Sequence, residues 1–271
     1  MFLGIDIGTS EVKCLLLDQA HQVVGTAGAA LSISRPHPGH SEQAPQDWWQ
    51  ATQNALTQLH HHQPHAYASV QAIGLSGQMH GAVLLDARNQ VLRPAILWND
   101  TRAGLDCALM MAELPQLPQL AGSLAMPGFT APKLRWLAQH EPDIFSRIAK
   151  ILLPKDYVRL QLTGEHVTDM SDASGTMWLD IAQRTWSDAA LALTGLTRAQ
   201  MPRLVEGSQS SGVLSPQAAK ILGLTAGIVV AGGAGDNAAS AVGMGAVDAG
   251  QGFISLGTSG VLFVVTPRYQ P

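Results

Sequence analysis

The fold of this chain is decided by its first stretch, Leu3-Gly4-Ile5-Asp6-Ile7-Gly8-Thr9-Ser10-Glu11-Val12-Lys13-Cys14-Leu15-Leu16-Leu17. Apolar side chains alternate with their neighbours up to Ile7, and Gly8-Thr9-Ser10 then supplies a tight turn. A β-prone apolar run continues from Val12 to Leu17. The pattern therefore predicts two paired strands joined by a short turn.

The residues at this turn suit the oxygens of a phosphate group. Gly8 lets the backbone approach a ligand closely, and Thr9 and Ser10 offer hydroxyl and N–H donors. Lys13 lies within reach and adds a positive charge. A carboxylate at Asp6 would repel phosphate unless a divalent cation lay between them. This indicates a Mg²⁺–nucleotide turn in which Asp6 holds the metal directly or through water. The alternative is an ordinary hairpin with a Gly-Thr-Ser turn.

A second copy of this motif lies near the other end of the chain, at Ile254-Ser255-Leu256-Gly257-Thr258-Ser259-Gly260-Val261-Leu262-Phe263-Val264-Val265. Gly8-Thr9-Ser10 recurs there as Gly257-Thr258-Ser259, whereas Ser255 stands in the place of Asp6. An internal repeat usually indicates a repeated structural unit. Two phosphate turns that face each other across a cleft are the plan of the actin-like ATPases and sugar kinases, which this arrangement resembles.

Composition argues against several classes of protein. The 271 residues are 46% apolar and 13% charged, with a formal net charge of -4, which disfavours a nucleic-acid partner or a membrane-surface patch. We expect no membrane partner, because no apolar run approaches the ~20 residues of a membrane span. We expect no signal peptide, because no basic region precedes the first strand. Cys14 and Cys107 lie far apart without a C-x-x-C pattern, which favours reduced thiols and a cytoplasmic location.

Two polar turns follow predicted strands in the first half of the chain. The first turn contains Gln78, Met79 and His80. The second contains Trp98, Asn99 and Asp100. Amide, imidazole and carboxylate groups can hydrogen-bond the hydroxyls of a sugar, and an aromatic face or a thioether packs against its carbons. The pattern predicts sugar contacts from both turns, although His80 could equally cap its own loop and Trp98 could equally belong to the core.

A third turn places a carboxylate at the start of a helix. The predicted strand Ile228–Ala231 is followed by Gly232-Gly233-Ala234-Gly235-Asp236-Asn237 and by a helix of small residues. The helix dipole and its free N–H groups stabilise Asp236 as the anion, which is the state that a general base needs. Simple N-capping by Asp236 is the alternative.

Together these motifs resemble the FGGY carbohydrate kinases, and among them most closely the xylulokinases. The resemblance covers nearly the whole chain and rests on the motifs at residues 6–10, 77–81, 97–100, 128–140, 153–157, 235–237 and 256–260. It implies an α/β fold, an actin-like ATPase (ribonuclease H-like) lobe with a mixed sheet flanked by helices, over residues 1–247. Residues 248–271 are then expected to begin a second such lobe, which binds ATP.

The resemblance also implies roles for individual residues. The sugar is expected to be a ketose, D-xylulose, contacted in the first lobe by Met79, His80, Asp236 and Asn237. Asp236 is expected to take the proton from the C5 hydroxyl, and Mg²⁺ is expected at Asp6. ATP is expected between the lobes, with its phosphates facing Gly8, Thr9, Ser10, Lys13, Gly257, Thr258 and Ser259.

The chain departs from the family pattern in length, because family members are substantially longer. We therefore expect the N-terminal part of such a kinase, with apolar strand edges at residues 253–265 exposed or paired with another chain. Two functions stay open, an ATP-dependent ketopentose kinase completed by another chain and a sugar-binding module without catalysis. Another sugar, such as L-ribulose, glycerol or gluconate, and assembly as a homodimer also stay open.

Overall fold

One mixed sheet of seven strands lies at the centre of the structure, a computed structural model that describes residues 1–256 and 260–270. Shorter two-stranded sheets accompany it. In chain order, the strands of all these sheets in the described residues are β1 Phe2–Ile7, β2 Glu11–Leu17, β3 Val23–Ala30, β4 Glu42–Gln43, β5 Ala72–Gly77, β6 Val83–Leu85, β7 Ala95–Ile96, β8 Lys150–Leu152, β9 Val167–Asp169, β10 Leu179–Asp180, β11 Thr185–Trp186, β12 Arg203–Val205, β13 Ser210–Val213, β14 Val229–Ala231, β15 Ala234–Gly235, β16 Gly252–Leu256 and β17 Gly260–Val264.

Eleven α-helices surround these strands in the described part of the chain. They are α1 Pro45–His62, α2 Pro64–Ala68, α3 Gly104–Glu113, α4 Leu117–Ala121, α5 Thr130–His140, α6 Pro142–Phe145, α7 Pro154–Thr163, α8 Met170–Ser174, α9 Asp188–Ala192, α10 Pro216–Leu222 and α11 Asp236–Gly243. A 3₁₀ turn covers Arg198–Gln200. Across residues 1–256 and 260–270, no helix combines the length and the apolar character needed to cross a membrane.

The central sheet has the strand order β13-β14-β5-β1-β2-β3, and β15 also pairs with β5. β1 and β2 are antiparallel, with Asp6 opposite Lys13. β5 runs parallel to both β1 and β14, whereas the β2–β3 and β13–β14 pairs are antiparallel. The predicted N-terminal hairpin and the predicted mixed sheet flanked by helices are therefore confirmed.

The longest helix, α1, covers part of this sheet. It begins at Pro45, which fits a first helical turn because the N–H that proline lacks would have no partner there. Trp48, Leu56 and Leu59 are buried along the helix, which packs on β2 and β3. These side chains and the inward-facing residues of β1 and β2 form the main apolar core.

A second apolar cluster lies beside α3 and α5. It contains Met110 of α3, Leu134 and Leu137 of α5, and Trp178, all of them buried. β6 and β8 pair antiparallel and contribute to it. The cluster supports α5, whose first turn contacts the segments that follow β5 and β7.

The last two strands, β16 and β17, pair antiparallel with each other, with Ile254 opposite Leu262. Ile254, Leu256, Leu262 and Val264 are exposed large apolar side chains. The predicted exposure of apolar strand residues between 253 and 265 is thus confirmed for the described part of the hairpin. The predicted second phosphate turn, Gly257, Thr258 and Ser259, lies outside the described residues.

Candidate functional site

Three segments of the chain leave the central sheet at one edge. Ile7 of β1 lies opposite Gly77 of β5, and Gly77 lies opposite Gly235 of β15. The next residues along these segments are Gly8, Gln78 and Asp236. The carboxyl ends of parallel strands in α/β sheets are common ligand sites, because the chain turns away there and leaves a crevice. The structure therefore brings the predicted phosphate turn, the first predicted sugar turn and the predicted base together.

The turn between β1 and β2 is compact around Gly8. A Cβ atom on Gly8 would lie 2.7 Å from the Glu11 carbonyl oxygen, so a side chain would displace this backbone. Asp6 precedes the turn, and its carboxylate accepts a hydrogen bond of 2.5 Å from Ser76 Oγ. Lys13 is largely exposed, and its Nζ lies 3.0 Å from Glu11. A phosphate contact by Lys13 stays a prediction.

The Thr9 hydroxyl joins this turn to both predicted sugar turns. It donates to Gln78 Oε1 and accepts from Trp98 Nε1, both at 3.0 Å. Gln78 Nε2 donates to the Gly8 carbonyl oxygen at 3.3 Å and to Gln43 Oε1 at 3.0 Å. Gln43 Nε2 donates to the Thr9 carbonyl oxygen at 2.8 Å. These hydrogen bonds hold the three segments in a fixed relation to one another.

The role of Gln78 differs from the predicted one. Its side chain is only 2% exposed, and both ends of its amide form hydrogen bonds within the protein. In the structure Gln78 therefore links the phosphate turn to the end of β5 through hydrogen bonds, in place of the predicted sugar contact. Its partner Gln43 was missed by the sequence analysis, because no local pattern marks it.

His80 is held in one position from two sides. Its backbone φ of 69° lies in the left-handed region, which non-glycine residues seldom occupy. Its Nδ1 lies 2.8 Å from the Gly175 carbonyl oxygen and donates to it, because a carbonyl oxygen only accepts. Burial, with a smaller effect of Lys133, lowers the pKa of His80 to about 4, so the ring is neutral at pH 7. Nε2 is then an acceptor that a sugar hydroxyl can use.

In the second predicted sugar turn, Trp98 is partly exposed whereas Asp100 is buried. Trp98 is 37% exposed, so part of its ring is accessible, and its contact with a sugar stays a prediction. Asp100 is 1% exposed. Its carboxylate accepts from the Ser41 N–H at 2.6 Å and from Arg102 Nε and Nη2 at 2.9 and 2.7 Å. The structure thus assigns Asp100 to a buried ion pair in place of the predicted sugar contact.

Asp236 is the first residue of α11, as predicted. Its Oδ1 accepts from the Asn237 N–H at 2.7 Å and from Asn237 Nδ2 at 3.1 Å, so Asn237 orients the carboxylate. Desolvation by nearby atoms raises the pKa of Asp236, the hydrogen bond from Asn237 opposes this, and the charge of Asp6 raises it further. The N-cap residue is Gly235, and α11 has no side-chain cap. Asp236 is therefore not the N-cap residue, although its carboxylate accepts the N–H of the next residue in the first turn, and its role as a base stays a prediction.

A buried ionic cluster, which the sequence analysis missed, lies behind this edge. Lys155 Nζ is 2.8 Å from carboxylate oxygens of Asp156, Asp169 and Asp172, and all four side chains are buried. Burial disfavours the charge on Lys155, but the three carboxylates prevail and raise its pKa. Burial raises the pKa of Asp172 to about 7, against the attraction of Lys155.

The cluster supports the backbone that leads into Asp236. Ser171 Oγ donates to Asp169 at 2.5 Å and accepts from the Gly235 N–H at 3.1 Å. Arg159, which lies near Asp156, donates to the carbonyl oxygens of Ala231 and Gly232 at 2.7 and 2.5 Å. The segment before the predicted base is therefore fixed from two directions. No sequence pattern marks this cluster, because α7 mixes polar and apolar residues, and only the fold shows that Lys155, Asp156 and Arg159 are buried.

The family model for the N-terminal domain of the FGGY family of carbohydrate kinases matches residues 1–243. The chain belongs to this family. Xylulose kinase of Escherichia coli K12 is 56% identical over 269 residues, which are 99% of this FGGY chain and 55% of the relative. Xylulose kinase of Bacillus subtilis is 41% identical over 261 residues, 96% of this chain and 52% of the relative. The chain thus spans about half the length of the curated relatives it matches.

Solved structures of sugar kinases have the same fold as this FGGY chain. A crystal structure of a xyloylose kinase from Brucella ovis matches with a TM-score of 0.97 and 56% identity, covering 99% of this chain and 55% of that one. Xylulose kinase from Rhodospirillum rubrum matches with a TM-score of 0.95 and 31% identity, covering 99% and 56%. The predicted actin-like ATPase fold of the lobe is confirmed.

The oxygen groups at the crevice fit a magnesium ion carried by nucleotide phosphates. Asp6 and Asp236 influence each other as like charges, and a cation between ligand and protein would relieve that repulsion. Mg²⁺ usually keeps several waters and takes one or two carboxylates together with phosphate oxygens. Within residues 1–256 and 260–270, no group of three or more His, Cys, Asp or Glu residues could hold a metal by itself.

Proposed function

We propose that this chain provides the sugar-binding part of a kinase that uses ATP to convert D-xylulose to D-xylulose 5-phosphate. In this proposal residues 1–247 form a sugar-binding lobe and residues 248–271 begin an ATP-binding lobe. The observation that carries the proposal is the meeting of β1, β5 and β15, which places Asp6, His80 and Asp236 at one edge of the sheet. The xylulose kinases among the relatives support the choice of sugar.

The sugar would bind beside the turn after β5. His80 Nε2 would accept a hydrogen bond from a hydroxyl, because Nδ1–H is committed to Gly175. Met79, which packs close to Gly235, would contact the carbon chain, and the exposed part of Trp98 would cover a C–H face. Asn237 would act mainly through Asp236, because its amide donates to that carboxylate.

The reaction would be an in-line transfer of the γ-phosphoryl group. The C5 oxygen of the sugar forms a bond to the γ-phosphorus, its proton passes to the Asp236 carboxylate, and the bond from the γ-phosphorus to the bridging oxygen of ADP breaks. Positioning and charge neutralisation supply most of the acceleration, and a general base adds roughly 10²–10⁴-fold. A bound Mg²⁺ near Asp6 would neutralise phosphate charge.

The phosphates would be held by the two turns. Gly8, Thr9 and Ser10 would donate their backbone N–H groups. The Thr9 hydroxyl is committed to Gln78 and Trp98, so its contribution would come from the backbone. Lys13 and the second turn, Gly257, Thr258 and Ser259, are proposed for the same ligand.

The decisive experiment measures ADP release with MgATP, with and without D-xylulose, together with calorimetry of sugar binding. We expect Asp236→Asn to lose about 10²–10⁴-fold in D-xylulose-dependent ADP release while keeping its affinity for the sugar. Asp143→Asn, an exposed residue of α6, is the matched control and should behave as wild type. His80→Ala should weaken D-xylulose binding about tenfold or more.

Different outcomes separate the functions that stay open. Unchanged turnover by Asp236→Asn would refute its role as the base. Calorimetric binding of D-xylulose without ADP release would support a sugar-binding module. Tighter binding of L-ribulose, glycerol or gluconate than of D-xylulose would replace the proposed substrate.

A further inference from the structure

We propose that Lys133 is a positioning residue that sets the distance between the His80 turn and Trp98. Lys133 lies in the first turn of α5 and is completely buried. Its Nζ donates to the carbonyl oxygens of His80, Ile96 and Leu97 at 2.7, 3.0 and 3.1 Å. An ammonium group has three N–H donors, so each donor has one backbone acceptor. The inference rests on the proposed sugar site.

The three acceptors belong to two separate parts of the chain. The His80 carbonyl is in the turn after β5, while Ile96 ends β7 and Leu97 follows it and leads directly into Trp98. One side chain therefore joins the backbones of both segments that carry proposed sugar contacts. A contact of this kind fixes the distance between the two segments. Hydrogen bonds within only one of the segments cannot fix that distance.

Other atoms of residues 128–133 contact the same two segments. Thr130 Oγ1 also donates to the His80 carbonyl oxygen, at 3.1 Å. The Phe129 ring lies 4.5 Å from the His80 imidazole, measured between centroids. A Cβ on Gly128 would lie 1.9 Å from the Trp98 carbonyl oxygen, so the two backbones are in direct contact. The start of α5 thus meets both segments in several independent ways.

The left-handed backbone of His80 explains why such support is needed. A non-glycine residue at φ 69° is unfavourable by itself, and such conformations persist only where the surroundings hold them. Burial of an ammonium is costly, and a methionine of similar shape would fill the space without that cost. Lys133 is therefore better explained by the geometry that it imposes than by packing. Burial lowers the pKa of Lys133 to about 7, against the attraction of Asp100.

The test compares Lys133→Met with wild type in hydrogen exchange and in D-xylulose calorimetry. The amides to follow are those of Gly81 and Ala82, which donate to Met79 and Ile96, and that of Leu97. We expect about tenfold faster exchange in peptides covering residues 79–82 and 96–99, and at least about tenfold weaker D-xylulose binding. ATP affinity should stay within about threefold of wild type.

Lys150→Met is the matched control. Lys150 Nζ also donates to backbone carbonyl oxygens, those of Ala199 and Met201, but away from the crevice. Its replacement should leave both peptides and the sugar affinity unchanged. Thr130→Val is a milder second variant that removes only the bond to the His80 carbonyl, and it should speed exchange at residues 79–82 without affecting 96–99.

Exchange and binding together decide between the two proposals. Unchanged exchange at both peptides in Lys133→Met would refute the positioning role, whatever the sugar affinity. Faster exchange at both, with no D-xylulose binding even by wild type, would support the positioning role and refute the proposed sugar. If Lys133→Met does not fold, Lys133→Gln, which keeps two N–H donors on a shorter side chain, takes its place: wild-type exchange at both peptides would refute the inference, and faster exchange at both would support it.

Discussion

Replacing Lys155 with methionine measures how much the buried ionic cluster contributes to folding. Lys155 contacts the carboxylates of Asp156, Asp169 and Asp172 at 2.8 Å each, with almost no exposure of any side chain. Each contact corresponds to about 6 kcal/mol of Coulomb energy at an effective dielectric constant of about 20. The substitution also removes the desolvation cost of the lysine, and the remaining carboxylates can take up protons. We therefore expect a net loss of about 3–5 kcal/mol in the free energy of unfolding, the usual result of breaking a buried ion pair.

The assay is urea unfolding at pH 7, followed by tryptophan fluorescence. Domains of this kind have about 5–15 kcal/mol of total stability, so Lys155→Met should show a large shift of the midpoint or fail to fold. Lys150→Met, which removes a partly exposed lysine, should change stability by no more than about 0.5 kcal/mol. A loss below about 1 kcal/mol in Lys155→Met would show that the cluster is not charged as the geometry implies.

Two further predictions concern Asp172 and Gly175. The folded-state pKa of Asp172 is raised to about 7, above its unfolded value of about 4. Between pH 4 and pH 7 the folded state therefore binds more protons than the unfolded state. Because of this, Asp172 lowers the free energy of unfolding as the pH rises from 4 to 7. Asp172→Asn should therefore flatten the fall in unfolding free energy between pH 5 and pH 8, and an unchanged slope would contradict the raised pKa. In Gly175→Ala the new Cβ would lie 2.5 Å from His80 Cε1, which should displace the imidazole and weaken D-xylulose binding about tenfold. Gly74→Ala, whose Cβ meets no atom within 4 Å, should bind normally, and equal affinities in the two variants would argue against sugar contact by His80.

The hairpin and α1 could be predicted from the sequence because their signals are local. Alternation up to Ile7 and the apolar run after Val12 define two strands, and the buried stripe from Trp48 to Leu59 defines a helix. The position of Asp236 at a helix start is equally local, because glycines and small residues surround it. Segments within a few residues of one another carry such patterns.

The contacts that fix the crevice could not be predicted in this way. Gln43 and Lys133 form hydrogen bonds with residues more than 30 positions away. No pattern in the neighbouring sequence predicts those partners. Asp100 was assigned to a sugar although Arg102 follows two residues later and binds it. The type of side chain suggested a ligand contact, but burial decided its partner, and burial depends on the whole fold.

The joining of β1, β5 and β15 at one edge has a consequence for folding. Residues 7, 77 and 235 meet there, so the crevice exists only after two very long loops have closed. Closing such loops has an entropic cost that contacts repay only when the sheet is complete. When only the β1–β2 hairpin has formed, the crevice does not yet exist. The chain therefore gains its affinity for a ligand in the same step in which the sheet folds cooperatively. A ligand in the crevice should therefore raise the unfolding midpoint of the entire sheet.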